Sequence, residues 1–300
     1  MRLPIFALGA VLFARAVCAQ PPIPSLYVLG DSTAAASKQA PTIQGWGVPF
    51  PEFFDAARIR VVNAARGGRS SRTFVTEGLF GEVLAQLKPR DIVLLQFGHN
   101  DVFPINDHVA RGTLHGIGEE TEEIGNQVTG RRETVHTYGW YMRKMVDEVR
   151  AAGAIPVILT LTVRDRWNPD GTIERLPEAG LDLSDANRFH EPAIYSVWAV
   201  EVARRLRVPV IDVHNLIADT YQRQGPAMVS TYFHSAGDPT HRNLAGARLD
   251  AELTVSGLRA HFGTDFDRYL SAKGRDVPAA ESRYILTNGK AAAGSGMMKE

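Results

Sequence analysis

Four short segments of this chain carry the residue types that acyl transfer by a serine nucleophile needs. Ser32 follows a Gly-Asp pair directly after an apolar run. The paired glycines 67–68 and the asparagine Asn100 could supply backbone and side-chain N–H donors to an oxyanion. Asp238 stands three residues before His241, so its carboxylate can reach Nδ1 of that ring and leave Nε2 free to accept the serine proton.

Each segment also has an ordinary structural interpretation when it is taken alone. A serine after Gly-Asp is a common helix N-cap, and paired glycines make a plain turn. Asn100 could cap a turn, and an Asp-x-x-His pair is frequent in surface loops. The hypothesis of catalysis therefore depends on whether one fold brings all four segments together.

Five short runs rich in Val, Ile and Leu predict buried parallel strands, because none of them alternates between apolar and polar residues. They span residues 26–29, 59–62, 92–97, 156–161 and 209–213. Stretches with helical spacing lie between them, including residues 138–149, which end before Gly153, and residues 194–202. A last helix is predicted over residues 243–261. This alternation favours a doubly wound α/β sheet, whose crevice for ligands lies at the carboxyl ends of the strands.

The catalytic segments occupy the places that such a sheet makes available. The first three follow the ends of predicted strands, so Ser32 is expected at the start of the next helix, and the Asp-His pair precedes the last helix. Two long loops also follow strand ends. Residues 101–136 show no strong period and are open to either interpretation, a functional loop or a solvated insertion, and residues 164–186 form the second loop.

The composition excludes several other classes of protein. The 300 residues carry 33 Lys+Arg against 33 Asp+Glu, so the formal net charge gives no basis for binding nucleic acid. One cysteine cannot form an internal disulfide or a cysteine cluster for metal, and no metal-ligand spacing is found among the nine histidines. Neither a Gly-x-Ser-x-Gly elbow nor a phosphate-binding glycine loop is present. We therefore expect no cofactor and no metal.

The two ends of the chain differ in composition from the rest. Residues 1–19 combine Arg2, an apolar run too short to span a bilayer and small residues before Gln20, which predicts a secretory signal cleaved after Ala19. A buried N-terminal helix is the alternative. Residues 288–300 are rich in Gly, Ala and Ser, which predicts a disordered tail and leaves one domain over residues 20–287.

In combination, these segments resemble the SGNH (GDSL-type) hydrolase superfamily, whose signature residues are a Ser, a Gly, an Asn and a His. The resemblance covers nearly all of residues 20–287 and is closest to the rhamnogalacturonan acetylesterases. The fold it implies is a flavodoxin-like doubly wound sandwich with a five-stranded parallel sheet. The segments that carry it are residues 30–33, 45–47, 68–72, 97–101, 118–123 and 136–140.

The resemblance implies a role for each matching residue. Ser32 would be the nucleophile, His241 the general base and Asp238 the group that orients the imidazole. The oxyanion hole would combine the N–H of Ser32, the N–H of Gly68 and the side-chain amide of Asn100. The chain departs from the pattern beside the histidine, where Pro239 and Arg242 replace other residues of the bacterial relatives, so we expect the rim of the site to differ there.

The implied activity is that of an exported carbohydrate esterase, periplasmic or extracellular, which removes O-acetyl groups from rhamnogalacturonan. The alternatives are an esterase for xylan, peptidoglycan or lipid esters, or a glycan-binding protein without turnover. We expect an acetylated glycan as the substrate partner, a monomer, and neither nucleic acid nor membrane as partner once the signal is removed. The candidate substrate contacts are Arg69, Arg72, His99 and Trp167.

Overall fold

The computed structural model describes residues 23–37, 40–175 and 193–286. The predicted signal peptide, residues 1–19, and the predicted tail, residues 288–300, lie outside the described residues. No described helix is long and apolar enough to cross a membrane.

The core of the structure is a five-stranded parallel sheet with the strand order β2-β1-β3-β6-β7. This order confirms the predicted doubly wound α/β sheet, because the chain starts in the middle and winds outward in both directions. All five strands begin or end within two residues of the predicted runs. They are β1 (Ser25–Gly30), β2 (Arg60–Asn63), β3 (Ile92–Gln96), β6 (Ile155–Leu159) and β7 (Val210–Ile211).

Helices cover both faces of the sheet, and alternate residues of each strand point to opposite sides. In β1, Tyr27 and Leu29 pack on one side and Leu26 and Val28 on the other. The first side is covered by α1 (Ser71–Thr76), α2 (Leu79–Leu84), α3 (Tyr138–Ala151) and α4 (Ala193–Leu206). On the second side lie α5 (Val213–Gln224) and α7 (Leu244–Phe262); the short helices α6 (Pro226–Val229) and α8 (Ala272–Asp276) complete the set among the described residues.

The prediction that Ser32 begins a helix is wrong. After β1 the described chain makes a single hydrogen-bonded turn, in which the Ala35 N–H donates to the Asp31 carbonyl at 2.9 Å. The segment 45–47 then lies against this turn, with Trp46 fully buried and its backbone N–H donating to the carbonyl of Thr33. The close contact between two backbones replaces the helix that the sequence pattern suggested.

The long loop after β3 contains an antiparallel hairpin that the sequence analysis missed. Its strands are β4 (Thr121–Gly125) and β5 (Arg132–His136). The fully buried Arg72 of α1 ties this loop to the domain, since its guanidinium pairs with Glu133 of β5 at 2.7 Å. It also donates to the carbonyls of Ile105 and Gly112 at 2.7 and 2.8 Å. Helix α1 and the loop are therefore held together as one unit.

Asp101, just after β3, fixes the start of α1. It is fully buried and accepts hydrogen bonds from both the hydroxyl and the backbone N–H of Ser71, the first residue of α1. Burial raises the pKa of this carboxyl from 3.8 to about 7, although the bonds from Ser71 oppose the rise. The folded protein therefore binds more protons here than the unfolded chain does between pH 4 and pH 7.

The contact between segment 45–47 and the turn after β1 leaves no room for a side chain at Gly45. A Cβ there would lie 2.2 Å from the backbone carbon of Ala34, so Gly45→Ala should lower the free energy of unfolding by about 1–3 kcal/mol. Gly81→Ala is the matched control, because a Cβ in the middle of α2 meets no atom within 4 Å. It should raise the free energy of unfolding by about 0.5–1 kcal/mol. Urea unfolding measures both, and effects of the same sign would contradict the packing described.

The raised pKa of Asp101 predicts a pH-dependent stability. Its contribution to the free energy of unfolding should fall as the pH rises from 4 to 7 and stay constant outside that range. Asp101→Asn removes this titration, so the variant should gain stability relative to the wild type between pH 5 and pH 8. Urea unfolding of both proteins at pH 5 and pH 8 tests this, since the titrating groups that do not interact with Asp101 cancel in the difference. A difference independent of pH would contradict it.

Candidate active site

The structure brings Ser32, His241 and Asp238 together at the carboxyl edge of the sheet. Ser32 Oγ lies 2.9 Å from His241 Nε2, and His241 Nδ1 lies 2.6 Å from Asp238 Oδ2. This is the order of groups that lets an imidazole remove the proton of a serine while a carboxylate fixes the tautomer of the ring. All three side chains remain partly exposed, so a substrate can reach them.

Backbone hydrogen bonds hold the Asp-His pair in place. The N–H groups of Thr240 and His241 donate to Asp238 Oδ1 at 2.9 and 3.0 Å. Burial of Asp238 would raise the pKa of its carboxyl, but these bonds and the one from the His241 ring outweigh burial and hold the pKa below 3.8. Asp238 is therefore a carboxylate at neutral pH. The helix that follows is capped by Asn243, which accepts from the N–H of Ala245 at 2.9 Å.

The turn that carries Ser32 is held by the buried neighbour Asp31. Its Oδ1 accepts from both the N–H and the hydroxyl of Thr33, each at 2.8 Å. Burial raises the pKa of this carboxyl to about 6. Gly67 lies against the same turn, because a Cβ on it would be 3.7 Å from Cβ of Ser32. The segment after β2 therefore borders the nucleophile, as the hypothesis of an oxyanion hole requires.

The remaining oxyanion candidates, Gly68 and Asn100, lie together beside this segment. Gly68 has a φ of +76°, in the left-handed region that favours glycine. Asn100 is only 7% exposed, and its Nδ2 donates to the carbonyl of Arg69 at 3.1 Å. An amide nitrogen carries two hydrogens, so one of them stays free for an oxyanion. The geometry is compatible with the three donors of the hypothesis, whose catalytic role stays a prediction.

Arg242 does not form the rim beside the histidine, contrary to what its position after His241 suggested. It is 2% exposed and pairs with the buried Asp250 of α7 at 3.0 Å. Its guanidinium also donates to the carbonyls of Thr240 and Val163 and lies over the ring of Phe233. This side chain therefore anchors the catalytic loop from the inside.

Two of the four predicted substrate contacts lie in the interior. The prediction for Arg72 is wrong, because its side chain is fully buried and pairs with Glu133. His99 is 6% exposed, with Nε2 at 3.4 Å from the hydroxyl of Thr162, and burial holds its pKa well below the usual value. A neutral, buried imidazole is a poor candidate for contact with an anionic substrate.

The other two predicted contacts are partly exposed. Arg69 pairs with Glu77 at 2.9 Å and keeps 38% of its side chain exposed. Trp167 donates to Asp165 at 2.8 Å, and Asp165 donates from its backbone to the carbonyl of Pro239 in the catalytic loop. Both therefore stay predictions as substrate contacts.

Sequence reasoning missed one residue of the site, Arg111. A Cβ on Gly68 would lie 3.7 Å from Arg111 Nη1, so the guanidinium borders the predicted oxyanion hole. Arg111 lies between β3 and β4, in a stretch that contains no helix or strand and whose sequence shows no helical or strand periodicity. Only the glycine next to it, Gly112, could have indicated a fixed backbone there.

A metal site is not part of this arrangement among the described residues. No three or more His, Cys, Asp or Glu side chains of that part of the chain are placed to hold a metal ion.

Three proteins whose names describe them as rhamnogalacturonan acetylesterases, one of them as a probable one, are similar to this chain. A rhamnogalacturonan acetylesterase of Emericella nidulans is 29% identical over 78% of the chain and 84% of its own length. From Bacillus subtilis, the probable rhamnogalacturonan acetylesterase YesY is 27% identical over 78% of the chain and 92% of its own length. The rhamnogalacturonan acetylesterase RhgT of the same organism is 26% identical over 84% of the chain and 96% of its own length.

The fold has a solved counterpart. The crystal structure of the YxiM protein of Bacillus subtilis superimposes with a TM-score of 0.59 at 24% identity and covers 79% of this chain. The match spans 56% of the YxiM chain. Residues 28–249 match the model of the GDSL-like Lipase/Acylhydrolase family, so this chain belongs to that family and is an esterase.

Proposed function

We propose that the protein is an exported carbohydrate acetylesterase that removes O-acetyl groups from rhamnogalacturonan. Ester hydrolysis is supported above all by the hydrogen bonds that link the three side chains. Ser32 Oγ lies 2.9 Å from His241 Nε2, and His241 Nδ1 lies 2.6 Å from Asp238 Oδ2. The choice of substrate is supported by the likeness to rhamnogalacturonan acetylesterases at 26–29% identity. Export is supported by the signal pattern of residues 1–19.

Acylation begins when Ser32 Oγ attacks the carbonyl carbon of the acetyl ester. His241 Nε2 takes the serine proton, and Asp238 stabilises the imidazolium that forms. The tetrahedral intermediate then collapses, the bond to the sugar oxygen breaks, and His241 returns the proton to that oxygen. The products of this half-reaction are the free sugar hydroxyl and an acetyl group on Ser32.

Deacylation repeats the sequence with water as the nucleophile. His241 takes a proton from water, the hydroxide attacks the acetyl carbonyl, and the bond to Ser32 Oγ breaks as the proton returns to it. Acetate leaves, and the enzyme is restored. In both half-reactions the negatively charged carbonyl oxygen accepts hydrogen bonds from the N–H groups of Ser32 and Gly68 and from the free amide hydrogen of Asn100, which stabilise it.

The role of Asn100 gives a quantitative prediction. Removal of one oxyanion donor should lower kcat by about 10²–10³ with little change in KM, because the interaction forms only as the charge develops. Asn100→Ala therefore tests the oxyanion hole through kcat and KM on a neutral aryl acetate. Urea unfolding checks that the variant is folded. A folded variant whose kcat falls by less than about tenfold would refute the role.

The substrate is tested by a panel of esters given to the purified wild type and to Ser32→Ala. The panel contains acetylated rhamnogalacturonan, acetylated xylan and a long-chain acyl ester, and released acid is measured. We expect the highest kcat/KM on rhamnogalacturonan and no activity in Ser32→Ala. Preferential release of acetate from xylan would refute rhamnogalacturonan as the substrate, and equal rates in the two proteins would refute the serine mechanism.

Export is tested by sequencing the N-terminus of the protein taken from the exported fraction. It should begin at Gln20 if residues 1–19 are a cleaved signal.

A further inference from the structure

Arg111 is a positive charge at the edge of the site that the hydrolytic mechanism does not use. Its Nη1 lies close to Gly68, at 3.7 Å from the place that a Cβ would take. The side chain is partly buried, and its Nε has no hydrogen-bond partner even though that atom is shielded from solvent. Among the described residues, no carboxylate forms an ion pair with this guanidinium.

A partly buried guanidinium without an ion-pair partner keeps its charge available to a ligand of opposite charge. Burial lowers the pKa of Arg111, while Asp107 and Asp31 act on it from a distance and raise it. Neither carboxylate forms an ion pair with Arg111 in the described part of the chain, although Asp31 Oδ2 is buried without a hydrogen-bond partner. Asp31 Oδ1 is occupied by Thr33, and Asp107 Oδ1 accepts from the N–H groups of Val109 and Ala110.

The backbone around Arg111 is fixed from several sides. Ala110 has a φ of +48°, an uncommon conformation for a residue with a side chain. Gly112 donates to the carbonyl of Pro104 at 3.1 Å, and its own carbonyl accepts from Arg72 at 2.8 Å. A side chain at position 112 would collide with the carbonyl of Phe103. The buried Arg72 therefore holds the backbone from which Arg111 reaches back to the site.

The guanidinium itself is positioned by an aromatic ring. Its central carbon lies 3.8 Å from the centroid of the Phe103 ring, the geometry of a cation–π contact. A stacked guanidinium keeps its edge free, and that edge presents N–H donors in a planar fork that matches a carboxylate. The contact with Phe103 therefore restricts the position of the guanidinium without using its N–H donors in hydrogen bonds.

We propose that Arg111 binds the carboxylate of a galacturonate residue of the substrate, beside the sugar whose acetyl group enters the oxyanion hole. This assignment rests on the proposed function, because a rhamnogalacturonan chain carries carboxylates and a xylan backbone does not. With 33 positive and 33 negative residues, the chain offers no global attraction to a polyanion, so the attraction has to be local. Arg111 supplies it within reach of the reacting group.

The contact between Arg111 and a carboxylate is tested by measuring inhibition, which does not require turnover of a glycan. Hydrolysis of a neutral aryl acetate is followed in the presence of an unacetylated oligogalacturonide, and of a neutral xylooligosaccharide of equal length. In Arg111→Gln the Ki of the oligogalacturonide should rise at least about tenfold, which corresponds to the loss of one charge-assisted hydrogen-bonded contact. The Ki of the xylooligosaccharide divided by that of the oligogalacturonide should fall by the same factor, and Arg111→Lys should recover part of this ratio.

Arg58→Gln is the matched control, because it removes the same charge at the opposite edge of the sheet, before β2, where Arg58 is 63% exposed. Its Ki for the oligogalacturonide should equal that of the wild type. An unchanged Ki in Arg111→Gln would overturn the proposal. A loss of kcat on the neutral ester with no change in the ratio of Ki values would also overturn it, by placing the guanidinium on the oxyanion.

These outcomes are separate from the failure of the proposed function. Absence of acetate release from rhamnogalacturonan by the wild type would reject the substrate, whereas the Ki measurement reports on the carboxylate contact alone. A wild type that deacetylates rhamnogalacturonan, with equal Ki values in wild type and Arg111→Gln, would keep the function and reject the contact.

Discussion

Ser32 and His241 are 209 positions apart in the sequence, and the hydrogen bond between their side chains requires both ends of the domain to be fixed at one edge of the sheet. The parallel sheet meets this requirement, since the carboxyl ends of its strands all open on the same crevice. Strand β1 delivers Ser32 directly, and α7 holds the loop of His241 through the buried pair of Arg242 and Asp250. The other residues of the proposed site, Gly68, Asn100 and Asp238, lie between Ser32 and His241 in the sequence.

Buried ion pairs provide much of this fixation. Arg72 with Glu133 and Arg242 with Asp250 each place a guanidinium that is 2% exposed or less in the interior. Such pairs add little net stability, because desolvation offsets the attraction between the charges. Breaking one would leave an unpaired buried charge, which costs about 3–5 kcal/mol. Their effect is therefore to exclude other positions of the two loops that they anchor.

The sheet and most of the catalytic segments could be predicted from the sequence because their signals are local. Runs of Val, Ile and Leu are typical of buried parallel strands, and a polar residue after each run marks the crevice. The helix expected after Ser32 was wrong because the close contact of segment 45–47 with the turn is a tertiary effect. Hairpin β4–β5 was missed because its strands are mostly exposed and carry few apolar residues.

Burial and ion pairing of the arginines near the site could not be predicted from the sequence. Arg69, Arg72 and Arg111 look alike in the sequence, yet one is partly exposed in an ion pair, one is buried and one stands unpaired at the site. Burial and pairing depend on residues that are distant along the chain, such as Glu133, 61 positions after Arg72. No local pattern distinguishes the three.

Arg72 joins two parts of the protein that have different tasks. It belongs to α1, which starts two residues after Arg69 and so carries the Gly68 segment, and it grips the loop that bears Arg111. A loop of different length or charge could be grafted between Asp101 and α3 without disturbing the serine chemistry, provided that a carboxylate equivalent to Glu133 is retained. The residues that hydrolyse the ester would then stay constant while the loop that contacts the substrate varies. The ion pair between Arg72 and Glu133 joins these two parts of the domain.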